Sequence, residues 1–227
     1  MNNLSYTQEY FLCALNRRGT FAARQGMKIS AYVLISGLME LTEQGYISKD
    51  RQNVLSASRP FEDKDSYLKP LYDAVACSGK RELAALLDMY VSAIRSYGGR
   101  RGSFKEIVIP IAKSLEKEGY LHIHQKKFLF VKMRRYIPRQ GAIRRIIDGL
   151  EREFLQEKQI TDKTFCLASL LDGAGLLSKY FNPQKVMSFK QIIDKEKQNS
   201  TRDSATKLMS YVDSVNGILK KLDWGAI

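Results

Sequence analysis

Gly119-Tyr-Leu-His-Ile-His-Gln-Lys-Lys-Phe-Leu-Phe-Val-Lys-Met-Arg-Arg-Tyr136 opens the stretch, running on to Arg145, around which the rest of the chain is organised. Tyr120 to His124 and Phe128 to Met133 are short runs of β-branched, aromatic and alternating residues. Gln125, Lys126 and Lys127 lie between them, so the spacing predicts a hairpin with its polar turn at those three residues. In the second run Phe128 and Phe130 fall on one face and Leu129 and Val131 on the other, which leaves both faces apolar. From Lys126 to Arg145 there are eight Lys or Arg and no Asp or Glu. An apolar blade ringed by cations, Arg134 and Arg135 among them, suits an anionic surface, either membrane headgroups or nucleic acid. The competing reading is a buried hairpin with a solvated basic flank, because most apolar strands belong to a core.

The 227 residues carry a net charge of +13, unevenly spread. Tyr10 to Met39 holds Arg17, Arg18, Arg24 and Lys28 without an acid, and Met89 to Lys105 holds Arg95, Arg100, Arg101 and Lys105 without an acid. With the hairpin stretch these windows exceed the whole net charge, so an anionic partner is favoured if they converge in space. Hydrophobic residues make up 44% of the chain, enough for a core. Cys13, Cys77 and Cys166 are an odd set without C-x-x-C spacing and read as thiols of a reducing compartment. With neither a signal peptide nor an apolar run of membrane-spanning length, the expectation is a cytoplasmic protein whose membrane contact is peripheral.

Helical signals dominate the remainder. Ser5 and Gln8 make a capping box before Phe11 to Leu15. Arg17 to Ser30 reads as a basic connector, followed by a helix through Ala31, Leu34, Leu38 and Leu41 that stops at Gly45. A hairpin is expected around Lys49 to Asn53, then helices from Leu68 to near Gly79 and from Leu83 through Ile94 to a stop before Gly98-Gly99. Ser103 and Glu106 suggest a second capping box, opening a helix that ends at Gly119 and that Pro110 must kink or begin. A helix from Ile143 to about Lys158 follows. The next, capped by Thr161 and Asp162, runs through Phe181 and is expected to be central; two amphipathic helices, Gln184 to Lys197 and Ser204 to Leu222, close the chain. The expected fold is therefore a mainly helical, all-α single domain over residues 1–227 with one or two small β-hairpins, one of them projecting and hydrophobic.

No catalytic or metal signature stands out. His122 and His124 share one strand face but read as surface residues beside a basic turn, and no nucleophile motif accompanies them. The chain is read as a non-enzyme without a cofactor or metal. A helix ending in Gly-Tyr-Leu before a basic hairpin also describes a winged helix, so a nucleic-acid-binding regulator is the alternative. Four consecutive large apolar residues have little use in a DNA-contacting wing, and an exposed apolar patch also suits a homo-oligomer interface.

The order of these pieces resembles the Golgi phosphoprotein 3 family, in a bacterial-type form. The matching segments are Phe11-Leu-Cys-Ala-Leu, Leu38-Met-Glu-Leu-x-x-x-Gly45, and Leu115-Glu-Lys-Glu-Gly-Tyr-Leu with Lys127-Phe-Leu-Phe-Val-Lys-Met. Thr164-Phe-Cys-Leu-Ala-Ser-Leu-Leu-Asp-Gly-Ala-Gly-Leu-Leu completes the set. The resemblance implies a peripheral membrane adaptor that binds phosphatidylinositol 4-phosphate or another anionic headgroup, with a membrane-protein cargo among its partners. It places the family's headgroup positions on Gln25, Leu34, Lys105 and Val108, of which Lys105 alone is charged. Headgroup contacts are accordingly expected from Arg24, Lys28, Arg100, Arg101, Lys105, Arg134 and Arg135. Phe128, Leu129, Phe130 and Val131 are expected to insert into the bilayer or to join two copies.

Overall fold

The computed structural model describes residues 4–21, 26–63, 66–77, 79–91, 104–128, 131–157, 159–198 and 203–221. Among them are ten helices and two small antiparallel sheets, so the mainly helical expectation holds. Helix α1 (Tyr6–Ala14) starts at the capping box read from the sequence. The Ser5 hydroxyl accepts from Gln8 N at 3.2 Å and the Gln8 side chain accepts from Ser5 N at 3.0 Å. Helix α2 (Gly26–Glu43) begins earlier than expected and takes in Lys28, which the connector had claimed. Every residue from Ile29 to Leu41 is buried, because α2 packs against α1 and four later helices. It ends at Gly45, whose φ of 74° lets Tyr46 N reach Leu41 O at 2.9 Å and so satisfies a last-turn carbonyl. Strands β1 (Ile47–Lys49) and β2 (Val54–Ala57) form the expected hairpin, its turn held by Asp50, whose carboxylate accepts from Gln52 N and Val54 N at 2.8 and 2.9 Å.

A third strand, β3 (Lys80–Glu82), pairs with β2 between α3 (Lys69–Ala76) and α4 (Leu83–Val91). It escaped the sequence reading because three charged residues carry no hydrophobic period. Helix α5 (Lys105–Lys117) is N-capped by Phe104 with no side-chain cap bond, and Ser103 of the expected capping box lies outside the described residues. Pro110 lies within α5 rather than in its first turn, and the Glu106 carbonyl forgoes its helical partner there.

The hairpin after α5 differs from the expectation in its turn. Strands β4 (Leu121–Phe128) and β5 (Val131–Pro138) pair in unbroken register from Leu121–Pro138 to Phe128–Val131. Gln125, Lys126 and Lys127 are therefore strand residues opposite Arg134, Met133 and Lys132. The two positions between the strands are Leu129 and Phe130, which lie outside the described residues. The polar turn was misplaced because a run of Gln and Lys signals a loop by composition, whereas the pairing is set by the strands on either side.

Helix α6 (Ala142–Glu151) continues into a π-helical segment (Arg152–Glu157). Helix α7 (Asp162–Gly173) is capped by Thr161, whose hydroxyl accepts from Thr164 N at 3.3 Å. It does not run on to Phe181: the chain turns at Gly175 and resumes as the short α8 (Leu177–Tyr180). The helices α9 (Pro183–Gln198) and α10 (Asp203–Lys221) close the chain as expected, and Trp224 lies outside the described residues. Buried side chains form one cluster from Leu4 to Leu219, to which α2 and α7 contribute the unbroken buried runs Ile29 to Leu41 and Phe165 to Leu171. The tie to α10 is polar as well as apolar, since Tyr32 Oη donates to Asn216 at 2.7 Å and the Thr42 and Tyr211 hydroxyls meet at 2.7 Å.

Candidate functional site

The hairpin is anchored at its base. The Glu116 carboxylate of α5 accepts from Ile123 N at 2.7 Å and stands 3.2 Å from His122 Nδ1. From Gly119 the chain reverses, so β4 packs against α5 and the hairpin runs back toward the start of that helix. Alternation then decides which residues meet the protein. Leu121, Ile123 and Tyr136 face inward, whereas His122, His124, Arg135 and Ile137 are exposed.

A turn from Asn16 to Phe21 fastens the other edge. The Asn16 side chain accepts from Arg18 N at 2.8 Å and Thr20 N at 3.2 Å, and Gly19 O accepts from Tyr136 N of β5 at 2.8 Å. Gly19 is required there: its φ is 71°, and a Cβ would stand 2.7 Å from Tyr136 O. The turn delivers Phe21 onto Phe11 at 5.5 Å and onto Phe104 at 5.7 Å between ring centroids, while Tyr136 meets Phe11 at 5.7 Å.

Above this aromatic floor lies a cavity of about 230 Å³. Lys105 from the first turn of α5 and Arg134 from β5 line it, with Thr20 and Val108 beside them. Burial pushes the Tyr136 phenol above its ordinary range and the Arg134 guanidinium pulls it part of the way back, so the phenol keeps its proton at neutral pH. Two cations, hydroxyl groups and an apolar floor suit an anion with an organic body. No group of three His, Cys, Asp or Glu able to hold a metal occurs among the described residues, and none of their helices is long and apolar enough to cross a membrane.

Of the expected headgroup contacts, Lys105 and Arg134 converge. Lys28 lies half-buried in the first turn of α2 and Arg135 on the exposed face of β5, and neither lines the cavity. Arg24, Arg100 and Arg101 lie outside the described residues, as do Leu129 and Phe130; Phe128 and Val131 are described as the last strand pair before the turn. Among the positions matched to the family's headgroup residues, Lys105 and Val108 reach the cavity and Leu34 is fully buried. The aromatic walls Phe21, Phe104 and Tyr136 were missed. The available signal was that each stands within three residues of a singled-out cation, at Arg24, Lys105 and Arg134.

The class these features define is a mainly helical protein with a hairpin of eight-residue strands and a cavity at its flank lined by Lys105 and Arg134. The family model of Golgi phosphoprotein 3 (GPP34) matches residues 7–211, and the chain belongs to that family. Membership implies, at the level of the family, a lipid-binding adaptor of the Golgi phosphoprotein type. No curated protein matches the chain.

Proposed function

We propose that the chain is a peripheral membrane adaptor that reads anionic phospholipid or phosphoinositide headgroups in the Lys105–Arg134 cavity while the hairpin turn enters the bilayer. The observation that carries this reading is the meeting of those two cations, 29 residues apart in the chain, beside a hairpin whose strands end at Phe128 and Val131. The closing pair Phe128–Val131 lies three register positions beyond Arg134, about 10 Å along a strand. A headgroup in the cavity and an inserted turn can therefore be engaged together. The register also weakens the nucleic-acid reading, because it puts Phe128 and Val131, not Lys126 and Lys127, next to the turn.

Family-type phosphatidylinositol 4-phosphate is one ligand of this class. With Leu34 buried and Lys105 the one charged match, the cavity fits a broader preference for anionic headgroups. Cations near an anionic surface contribute about 1 kcal/mol each, so Lys105→Gln with Arg134→Gln should weaken vesicle binding by roughly 30-fold at low salt. Co-sedimentation with vesicles containing phosphatidylserine or phosphatidylinositol 4-phosphate checks this. Wild-type binding that is as tight to wholly zwitterionic vesicles would overturn it.

A further inference from the structure

A second and larger cavity, of about 780 Å³, lies between the segment that leads into α3 (Asp63 to Pro70) and the face of α5 from Ile109 to Lys117. Its floor is fixed by hydrogen bonds. The Tyr67 hydroxyl lies 2.7 Å from Ser5 Oγ and donates to Glu40 Oε1 at 2.6 Å. Ser114 Oγ accepts from Gln8 Nε2 at 3.1 Å and donates to Ile111 O at 2.8 Å. The lining charges are not equivalent. Lys69 pairs with Asp73, Glu118 accepts from Gln8 at 3.0 Å, and Asp63 is also engaged. Lys113 and Lys117 remain, exposed and without an ion-pair partner among the described residues. They stand four residues apart on one helix face, where like charges repel until an anion bridges them.

We propose that this cleft binds a soluble organic phosphate, with the phosphoryl group held between Lys113 and Lys117 and the organic body against Pro70, Ile109 and Pro110. A doubly charged phosphoryl group matches two ammonium groups one helical turn apart, and each is a freely rotating donor. The volume is that of a small-molecule site rather than of a single ion. The position argues for a soluble source. Lys117 lies twelve residues from Lys105, about 18 Å along α5, and next to Gly119, where the hairpin begins. The two lysines thus sit at the end of α5 from which the hairpin starts, away from the turn proposed to enter the bilayer. The inference does not depend on membrane binding.

Calorimetric titration of the full chain with phenyl phosphate and with inorganic phosphate, at constant ionic strength, tests it. Phenyl phosphate should bind saturably and more tightly than inorganic phosphate. In a Lys105→Gln, Arg134→Gln background, which removes the anion site beside the hairpin, phenyl phosphate should still bind saturably, and adding Lys113→Gln with Lys117→Gln should weaken it at least tenfold. Binding that is already lost in the background, or that survives the added pair, overturns the site. Phosphatidate vesicles separate the sources: equal binding by wild type and the Lys113/Lys117 pair supports a soluble ligand, and a loss in that pair would show that the cleft serves the membrane instead.

Discussion

Glu40, in the last part of α2, is buried with Oε1 on the Tyr67 hydroxyl and Oε2 without a hydrogen-bond partner. Burial pushes its carboxyl above the ordinary 4.5, a shift that the hydroxyls of Thr7, Tyr67 and Ser5 oppose. The protonated form is therefore the one the fold favours. The penalty for ionisation is absent below the ordinary value and grows as pH rises through the elevated one. Glu40→Gln, an uncharged isostere, should match wild type in urea midpoint near pH 4 and exceed it at pH 8; a difference independent of pH would show that ionising Glu40 carries no such penalty. Nothing in the sequence marked this residue, since burial of an acid on a helix stripe depends on which helix covers it. The same limit applies to Arg134. Its charge was legible, but its partnership with Lys105 required the strand register.

The α2 and α5 ends show what local sequence can specify. Leu41-x-x-x-Gly45-Tyr46 and Leu115-x-x-x-Gly119-Tyr120 close in the same way, with Tyr46 N on Leu41 O at 2.9 Å and Tyr120 N on Leu115 O at 2.8 Å. Leu171-x-x-x-Gly175-Leu176 repeats the motif, Leu176 N reaching Leu171 O at 2.7 Å, and this copy is what ends α7 where the sequence reading had continued it. At Gly119, with φ of 79°, an alanine should cost about 1 kcal/mol or slightly more in thermal or urea unfolding. Ser5→Ala should cost about 1 kcal/mol through loss of the α1 cap. A cost near zero at both sites would mean that packing alone holds these ends. The hairpin was legible as an element but not in its register: composition drew the turn to Gln125–Lys127, and only the pairing of eight residues on each side carries the strands on to Phe128 and Val131.

At the scale of the molecule, helix order followed from periodicity, with α7 and α8 read as one helix, because buried stripes such as Leu34, Leu38 and Leu41 repeat at the helical spacing. Convergence of the basic windows was only half legible. Charge counts singled out Lys105 and Arg134 together with Lys28 and Arg135, and the fold alone separates the pair that meets from the pair that does not.

The central claim is that binding needs an apolar turn as well as cations, and the most direct measurement removes one without the other. Phe128→Ser with Phe130→Ser keeps every Lys and Arg. If both rings insert, roughly 3 to 6 kcal/mol of transfer free energy is lost, and co-sedimentation with vesicles containing acidic phospholipid should fall by roughly a hundredfold or more. The remaining attraction should be strongly salt-dependent. Binding to duplex DNA, which depends on phosphate contacts, should change little in affinity or salt slope. Unchanged vesicle binding by the Phe pair, with tight and sequence-selective DNA binding by wild type, would contradict the membrane account and favour a winged helix.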